Sequence, residues 1–428
     1  MKSLWKKPFK IALITPQYLG FKSNKGVAIH TFYLSKELAK LGCEVHIFTS
    51  GERSGLRKEY IGDGKRVIHY LPVKLKFNAK DALVQNRISM LIFDNEAIHQ
   101  LLKEHEKGEF DIIHSHISMV GAFMAKHFID TRWIHTFHSL EKNRLRFMTK
   151  DHKKYLGMEK WKESAMSFAD ALIAVSTKLR EEFLETYPID KNNVYYVPNG
   201  VDLSVFTPGS VLQKEKKVLY IGRFSAEKGI DVVLNIIEKV ISADHEIKFE
   251  LVAPPYETMP YLMEQIKKRL DNLVEKYPER IIWHKEALSR EELVKLYQQC
   301  MVCIQPSRYE SFGMTALEAM SCGKPVICSN KGGLPEVVGK AGILLPLNSS
   351  VFANKILKLS EDYKLRVNLG KKAFQQAQKF SWETAAEKTL DLYRATAKRR
   401  EEKEGKHEAL KNLHEISKKN GKHKKTKS

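Results

Sequence analysis

The chain has 428 residues, of which 43% are hydrophobic, and it carries a formal net charge of +21 at pH 7. This length predicts two domains, because a single domain usually holds about 100–200 residues, and the composition is that of an ordinary globular protein. No apolar run approaches the roughly 20 residues of a membrane span, and the N-terminus lacks the apolar core of a signal peptide, so we expect a cytoplasmic protein.

Strand-like and helix-like segments alternate through the first half of the chain. A helical pattern over residues 27–41 ends at Gly42, a residue typical of helix C-termini. The expected strands are the apolar runs KIALIT, VHIFT, DIIHSH, WIHTFH, ALIAVS and VYYVPN. This rhythm predicts a parallel sheet with helices on both of its faces.

The rhythm restarts after Pro208 and a polar, linker-like segment. The expected strands of the second half are VLYIG, FELVA, RIIWH, VCIQP, PVICS and GILLP. We therefore expect an α/β protein in which two doubly wound, Rossmann-like domains, residues 1–205 and 206–380, face a central cleft. Ligands of such sheets bind beyond the carboxyl ends of the strands. A helix over residues 381–397, started by Ser381, and a basic tail over residues 398–428 complete the chain.

The five cysteines favour buried structural thiols. Their odd number, together with the expected cytoplasmic location, argues against a disulfide framework. Cys300 and Cys303 resemble a metal-binding pair, but both border the strand-like run MVCIQP, and an odd spacing on a strand sends side chains to opposite faces.

Two loops that follow expected strands suggest binding of phosphate. Gly26 lies at the start of the first helix, where free backbone N–H groups favour an anion, although the segment also fits a plain turn between strand and helix. Arg223 and Lys228 follow VLYIG and have the spacing to flank a diphosphate. The alternative is a solvated basic loop, which the position at a strand end disfavours.

The segment from Glu310 to Glu318 combines two carboxylates with a helix N-terminus. Gly313, Met314 and Thr315 open the helix, and their backbone amides can receive a phosphate. We expect Glu318 to accept ribose hydroxyls and Glu310 to accept sugar hydroxyls. Compensation of the helix dipole would explain one glutamate but not the whole assembly.

His138 ends the strand-like run WIHTFH and is expected to reach the cleft, near the reacting carbon of a transferring sugar. A lone histidine is more often structural. His114 and His116 alternate with apolar residues, which fits a buried strand, and we assign no metal to them.

Together these motifs resemble glycosyltransferase family four, the retaining family with the GT-B fold, over residues 10–397. The matching motifs are ESFGMTALE from Glu310 to Glu318, GRFSAEKG, and NGVD from Asn199 to Asp202. The resemblance implies that Arg223 and Lys228 bind the diphosphate, Glu318 the ribose, and Glu310 and His138 the donor sugar. It also implies that the last helix crosses back onto the first domain.

Gly26 matches the second residue of the family's Gly-Gly loop, with Lys25 in place of the first glycine. Local similarity to bacterial glycogen synthase-type and sucrose-phosphate synthase-type members implies transfer of glucose. The donor would be a UDP-, ADP- or GDP-hexose, the acceptor an α-glucan or a sugar phosphate, and no cofactor is expected. Donor-base recognition is expected near residues 286–288.

Three alternatives stay open at this point. A nucleotide-sugar epimerase would use the same fold without an acceptor. A transferase with a lipid or cell-envelope acceptor would fit the basic surface and tail, which favour peripheral contact with an anionic membrane; the tail equally fits a frayed terminus. A non-catalytic sugar-binding protein is disfavoured by the intact motifs. Nucleic acid is not expected, because no recognised binding motif is present.

Overall fold

The computed structural model describes residues 8–18, 26–51, 56–62, 64–73, 82–145, 147, 160–161, 163–209, 215–255 and 261–398. The loop residue Lys25 and tail residues 399–428 lie outside this part of the chain. No helix among the described residues is both long enough and apolar enough to span a membrane.

The first sheet has eight strands in the order β3-β4-β2-β1-β5-β6-β7-β8. The strands are β1 Lys10–Ile14, β2 Glu44–Gly51, β3 Arg57–Ile61, β4 Arg66–Pro72, β5 Ile112–His116, β6 Arg132–Phe137, β7 Ala171–Ala174 and β8 Val194–Tyr196. All neighbouring pairs are parallel except the edge strand β3, which runs antiparallel to β4. The sequence pattern did not indicate this hairpin, because β3 is largely exposed and its residues are mostly polar.

Helices connect these strands. They are α1 Gly26–Lys40, α2 Ala82–Lys107, α3 Met119–Phe128, α4 Glu141–Leu145 and α5 Thr177–Leu184, with 3₁₀ turns at Ala165–Phe168 and Lys191–Asn193. Helix α1 begins one residue before its predicted start and ends one residue before its predicted end. Gly42 follows it with φ +100°, a left-handed conformation that glycine adopts without steric cost.

The second sheet has six parallel strands in the order β11-β10-β9-β12-β13-β14. They are β9 Lys217–Ile221, β10 Lys248–Val252, β11 Ile281–His284, β12 Val302–Gln305, β13 Val326–Ser329 and β14 Ile343–Leu345. The intervening helices are α6 Ile230–Ala243, α7 Tyr261–Lys276, α8 Arg290–Gln299, α9 Met314–Ser321, α10 Leu334–Val338, α11 Ser349–Glu361 and α12 Tyr363–Ala377. The predicted α/β class with two parallel-sheet units is confirmed.

The last described helix, residues 382–398, packs on the first sheet. Its side chains Trp382, Leu390 and Tyr393 share a buried cluster with Ile11 and Val45 of the central strands. The Ser381 hydroxyl accepts a hydrogen bond from the amide of Thr384 at 3.0 Å, so Ser381 caps this helix as its sequence predicts.

The cysteines are free and buried, as expected of structural thiols. The opposite-face argument for Cys300 and Cys303 is wrong, because Cys300 caps the end of α8 rather than lying on a strand. Both thiols belong to the same buried cluster, together with Cys322 and Cys328.

Candidate active site

Lys228 and Glu310 meet where two neighbouring strands end. Lys228 follows β9 and Glu310 follows β12, and these strands pair directly in the sheet. The Lys228 ammonium lies 2.7 Å from Glu310 Oε1. The same carboxylate oxygen accepts a hydrogen bond from the Gln305 amide at 2.7 Å. Glu310 is only 8% exposed, so protein groups rather than water surround its carboxylate.

A close backbone approach fixes the loop that carries Lys228. Gly229 has φ +72°, and a Cβ at this position would lie 2.0 Å from the carbonyl oxygen of Pro306. The Arg308 guanidinium binds both carboxylate oxygens of Asp231 at 2.6 Å and donates to the carbonyl of Ala226 at 2.8 Å. These contacts fasten the loop after β9 to the loop after β12, and only glycine fits at position 229.

Arg223 and Lys228 converge on one carboxylate. Glu227 Oε1 lies 3.0 Å from the Arg223 guanidinium and 3.4 Å from the Lys228 ammonium. The Arg223 side chain is 49% exposed, whereas that of Lys228 is 15% exposed. The two cations therefore flank a single anionic group beyond the carboxyl end of β9 in the second sheet.

Helix α9 begins beside this ion pair. Gly313 precedes it with φ +114°, and a Cβ there would lie 2.8 Å from the Leu334 side chain. The first amides of an α-helix have no acceptor within the helix, so those of Met314 and Thr315 have the geometry to receive an anion. Gly332 approaches even more closely, since its Cβ would lie 1.9 Å from the carbonyl oxygen of Glu310.

Glu318 lies in the interior of the same helix and is 8% exposed. Its Oε2 accepts a hydrogen bond of 2.9 Å from the Tyr297 hydroxyl. Burial raises the pKa of the Glu318 carboxyl to about 7, while the Tyr297 hydrogen bond and the charge of Arg290 act in the opposite direction. The carboxyl is thus poised to change its charge near neutral pH.

Arg290 joins the two halves of this site, and sequence reasoning missed it. Its guanidinium donates to the Tyr33 hydroxyl of α1 and lies 5.0 Å from the centre of the same ring. It also lies 5.4 Å from the Phe206 ring. The available signal was the capping box of Ser289 and Glu292, which places Arg290 at the first position of α8.

His138 lies within a group of histidines on the first sheet. Its Nε2 is 3.1 Å from Nδ1 of His116, which ends β5. The ring of His30, on α1, lies 4.7 Å from that of His138. The His30 Nδ1 is 2.8 Å from Asn199 Oδ1 of the NGVD motif. The sequence did not indicate that His30 and Asn199 belong here.

Gly26 is the first residue of α1, and a Cβ added to it would meet no atom within 4 Å. Residues 19–25 of the preceding loop lie outside the described residues. Residues 286–288, expected to contact the donor base, follow β11, and Glu286 is exposed there. The second-sheet residues of the site thus gather at one edge, and His138 lies on the first sheet.

Two protein families match most of the chain. Residues 24–205 match Glycosyltransferase Family 4, and residues 208–376 match Glycosyl transferases group 1. A D-inositol 3-phosphate glycosyltransferase of Corynebacterium urealyticum is 28% identical over 395 residues, which cover 86% of this chain and 90% of the relative.

Solved structures share the fold over nearly the whole chain. Sucrose-phosphate synthase of Thermosynechococcus elongatus has a TM-score of 0.75 at 25% identity, covering 90% of this chain and 98% of its own. Anabaena HepE, solved in complex with UDP-glucose, has a TM-score of 0.65 at 16% identity, covering 90% and 98%. These matches identify the two-sheet architecture as the GT-B fold.

Proposed function

This chain belongs to the family-four glycosyltransferases of the GT-B fold. From that premise we propose that it transfers a hexose from a nucleoside-diphosphate sugar to a phosphorylated small-molecule acceptor, with retention of the anomeric configuration. The observation that carries the proposal is the pairing of Lys228 with Glu310 at the carboxyl ends of adjacent strands. That position is where ligands of open α/β sheets bind.

Arg223 and Lys228 hold the donor diphosphate in this proposal. Both reach the Glu227 carboxylate at 3.0 and 3.4 Å, so a negative group already lies between them. A diphosphate brings more charge and more acceptor oxygens than one carboxylate and would replace it. The two cations then stabilise the charge that develops on the departing nucleoside diphosphate.

The helix that follows Gly313 orients the rest of the donor. The amides of Gly313, Met314 and Thr315 bind phosphate, and Glu318 accepts hydroxyls of the ribose. Glu310 accepts hydroxyls of the hexose, and Lys228 and Gln305 fix its carboxylate for that task at 2.7 Å each. His138 and Gly26 act from the first domain when the cleft closes on the sugar.

The proposed acceptor class rests on the named relatives. The C. urealyticum relative is named for inositol 3-phosphate, and the T. elongatus structure is a sucrose-phosphate synthase. Both names contain a phosphorylated polyol or sugar. The acceptor hydroxyl attacks from the face that the diphosphate leaves, which retains the anomeric configuration, and we propose glucose as the hexose. UDP, ADP and GDP all remain candidates for the nucleotide.

The test is release of nucleotide from a panel of UDP-, ADP- and GDP-hexoses, each with inositol 3-phosphate, fructose 6-phosphate or glucose 6-phosphate. We expect one donor and acceptor pair to support turnover. Lys228→Ala should lower kcat about 100- to 1,000-fold, the usual cost of losing one charge-stabilising donor. The control Lys239→Ala removes an exposed lysine of α6 and should leave kcat unchanged.

Turnover in Lys228→Ala equal to that of the wild type would refute the diphosphate role of this residue. Turnover without any acceptor, with a changed sugar in the product, would instead identify an epimerase.

A further inference from the structure

Three histidines from separate elements form a nearly equilateral triangle. His30 lies on α1, His116 ends β5, and His138 follows β6. Their ring centroids are 5.0 Å apart for His30 and His116, 4.7 Å for His30 and His138, and 5.4 Å for His116 and His138. One nitrogen of each ring lies within 4.8 Å of a nitrogen of both others.

Two ring nitrogens of this group are unpartnered, and two others, His116 Nδ1 and His138 Nε2, lie 3.1 Å from each other. The Nε2 atoms of His30 and His116 are buried and have no hydrogen-bond partner among the described residues. Because His30 Nδ1 donates to Asn199 Oδ1 at 2.8 Å, its Nε2 carries the lone pair. A metal-ligating histidine usually donates its other ring N–H to an oxygen acceptor, which orients the ring, and Asn199 provides such an acceptor for His30.

Two of the three rings are shielded from water. His30 and His116 are buried, and His138 is partly buried. The neighbouring His114 is not available as a ligand, since its nitrogens lie 2.6 Å from the Tyr393 hydroxyl and 2.7 Å from the Thr136 hydroxyl.

We propose that His30, His116 and His138 form a binding site for one Zn²⁺ or a similar late transition-metal ion. Zinc is held by three histidines and an exchangeable fourth ligand at Zn–N distances of about 2.0–2.1 Å. A tetrahedron of that size separates its nitrogens by roughly 3.4 Å, so nitrogens that lie within 4.8 Å of one another need to approach by at most roughly 1.4 Å. His138 is only partly buried, so solvent reaches one member of the group and could supply the fourth ligand.

The metal would act as an inhibitor rather than as a cofactor. This part of the inference rests on the proposed function, in which His138 contacts the donor sugar. A metal ion on His138 takes the nitrogen that the sugar needs and adds two positive charges beside the reacting carbon, where positive charge develops during transfer. Zinc should therefore suppress transfer at the concentration at which it binds.

The experiment is a calorimetric titration of the full-length, untagged chain with Zn²⁺. We expect the wild type to bind one more tight zinc ion than His30→Gln or His138→Gln. Asn199→Ala, which removes only the support of His30, should weaken that site about 10- to 100-fold. The control His127→Gln alters an exposed histidine of α3 and should bind like the wild type. The histidines of residues 399–428 are present in every variant, so any zinc that they bind does not contribute to the difference between variants.

A second probe reports the geometry. Co²⁺ bound by the wild type should give the intense visible absorption of a four-coordinate ion, and Zn²⁺ should abolish it.

Equal zinc stoichiometry and affinity in the wild type, His30→Gln and Asn199→Ala would overturn the site. If zinc binding is lost in these variants but the wild type transfers sugar from none of the donors, the metal site stands and the proposed function is refuted. Sugar transfer that zinc does not inhibit, despite histidine-dependent binding, would refute the inhibitory role.

Discussion

At the scale of single residues, the site depends on carboxyl groups that are held away from water. Glu310 pairs with the Lys228 ammonium at 2.7 Å. Glu318 has Arg290 only as a more distant charge, and the Tyr297 hydroxyl supplies its hydrogen bond at 2.9 Å. The two glutamates of one motif therefore have different electrostatic surroundings, an ion pair for Glu310 and a neutral hydrogen-bond donor for Glu318.

The raised pKa of Glu318 makes stability depend on pH. Below pH 4.5 the carboxyl is protonated in both the folded and the unfolded chain. Between pH 4.5 and about 7 only the unfolded chain ionises, so folded stability falls as pH rises. The full effect is on the order of 3 kcal/mol at 1.36 kcal/mol per pKa unit.

Glu318→Gln removes this ionisation and keeps an acceptor for Tyr297. We expect the variant to melt a few degrees above the wild type at pH 8 and close to it at pH 4. Thermal unfolding at both pH values measures the difference. Glu291→Gln, at an exposed position of α8, is the control and should shift neither. A Glu318→Gln variant with the same shift at both pH values would contradict the burial argument.

At the scale of elements, two loops are locked together so that Lys228 reaches Glu310. The Arg308 amide donates to the carbonyl of Glu227 at 2.9 Å, and Arg308 binds Asp231 through two hydrogen bonds of 2.6 Å. Strand pairing brings β9 and β12 side by side, and these loop contacts, with the close approach of Gly229 to Pro306, help to fix the ammonium group relative to the carboxylate.

Gly229→Ala should disturb that position. A Cβ would lie 2.0 Å from the carbonyl oxygen of Pro306, and φ +72° is strained for any other residue. The loop must move, so we expect KM for the donor to rise at least about tenfold, since misplacement by about 1 Å is costly to catalysis. Steady-state kinetics at varied donor concentration measure KM. Gly62→Ala, where a Cβ meets nothing within 4 Å, is the matched control; an unchanged KM in both variants would argue against the lock.

At the scale of the whole molecule, the two sheets meet through side chains far apart in sequence. The Tyr309 hydroxyl donates to Glu182 at 2.8 Å and accepts from the Asn143 amide at 2.8 Å. The amide of Thr177, on α5, donates to Glu336 of α10 at 2.7 Å. Residues of both halves also share one buried apolar cluster. The position of His138 relative to Lys228 and Glu310 depends on these contacts.

Trp382 is central to the junction between the last helix and the first sheet. It is 3% exposed and stacks on Tyr33 with ring centroids 5.6 Å apart. A Cβ on Gly200 would lie 2.2 Å from its backbone nitrogen. Trp382→Ala should cost about 3–5 kcal/mol, the range for large core truncations.

Thermal unfolding tests this prediction. Loss of activity should accompany the loss of stability, because His30 packs edge-on against the same indole at 5.3 Å and its ring lies 4.7 Å from that of His138. Trp161→Ala is the matched control, since Trp161 is 66% exposed. Equal melting temperatures for the two variants would show that the last helix contributes little to the first sheet.

The sequence alone determined the local features of this protein. Apolar periodicity located twelve of the fourteen strands that the described residues contain, and it missed β3 and β4, whose hairpin lacks the connecting helix that the rhythm relies on. The motifs also predicted which strand ends carry Arg223, Lys228 and Glu310, because parallel strands expose their carboxyl ends at one edge.

Only the tertiary structure decided which of these residues touch. The pairing of Lys228 with Glu310, the bridge from Arg290 to Tyr33, and the triangle of His30, His116 and His138 join residues far apart in the chain. Side-chain contacts of this kind depend on loop conformation and on how one sheet lies against the other. Periodicity and spacing carry no information about either, because they describe neighbours along the chain.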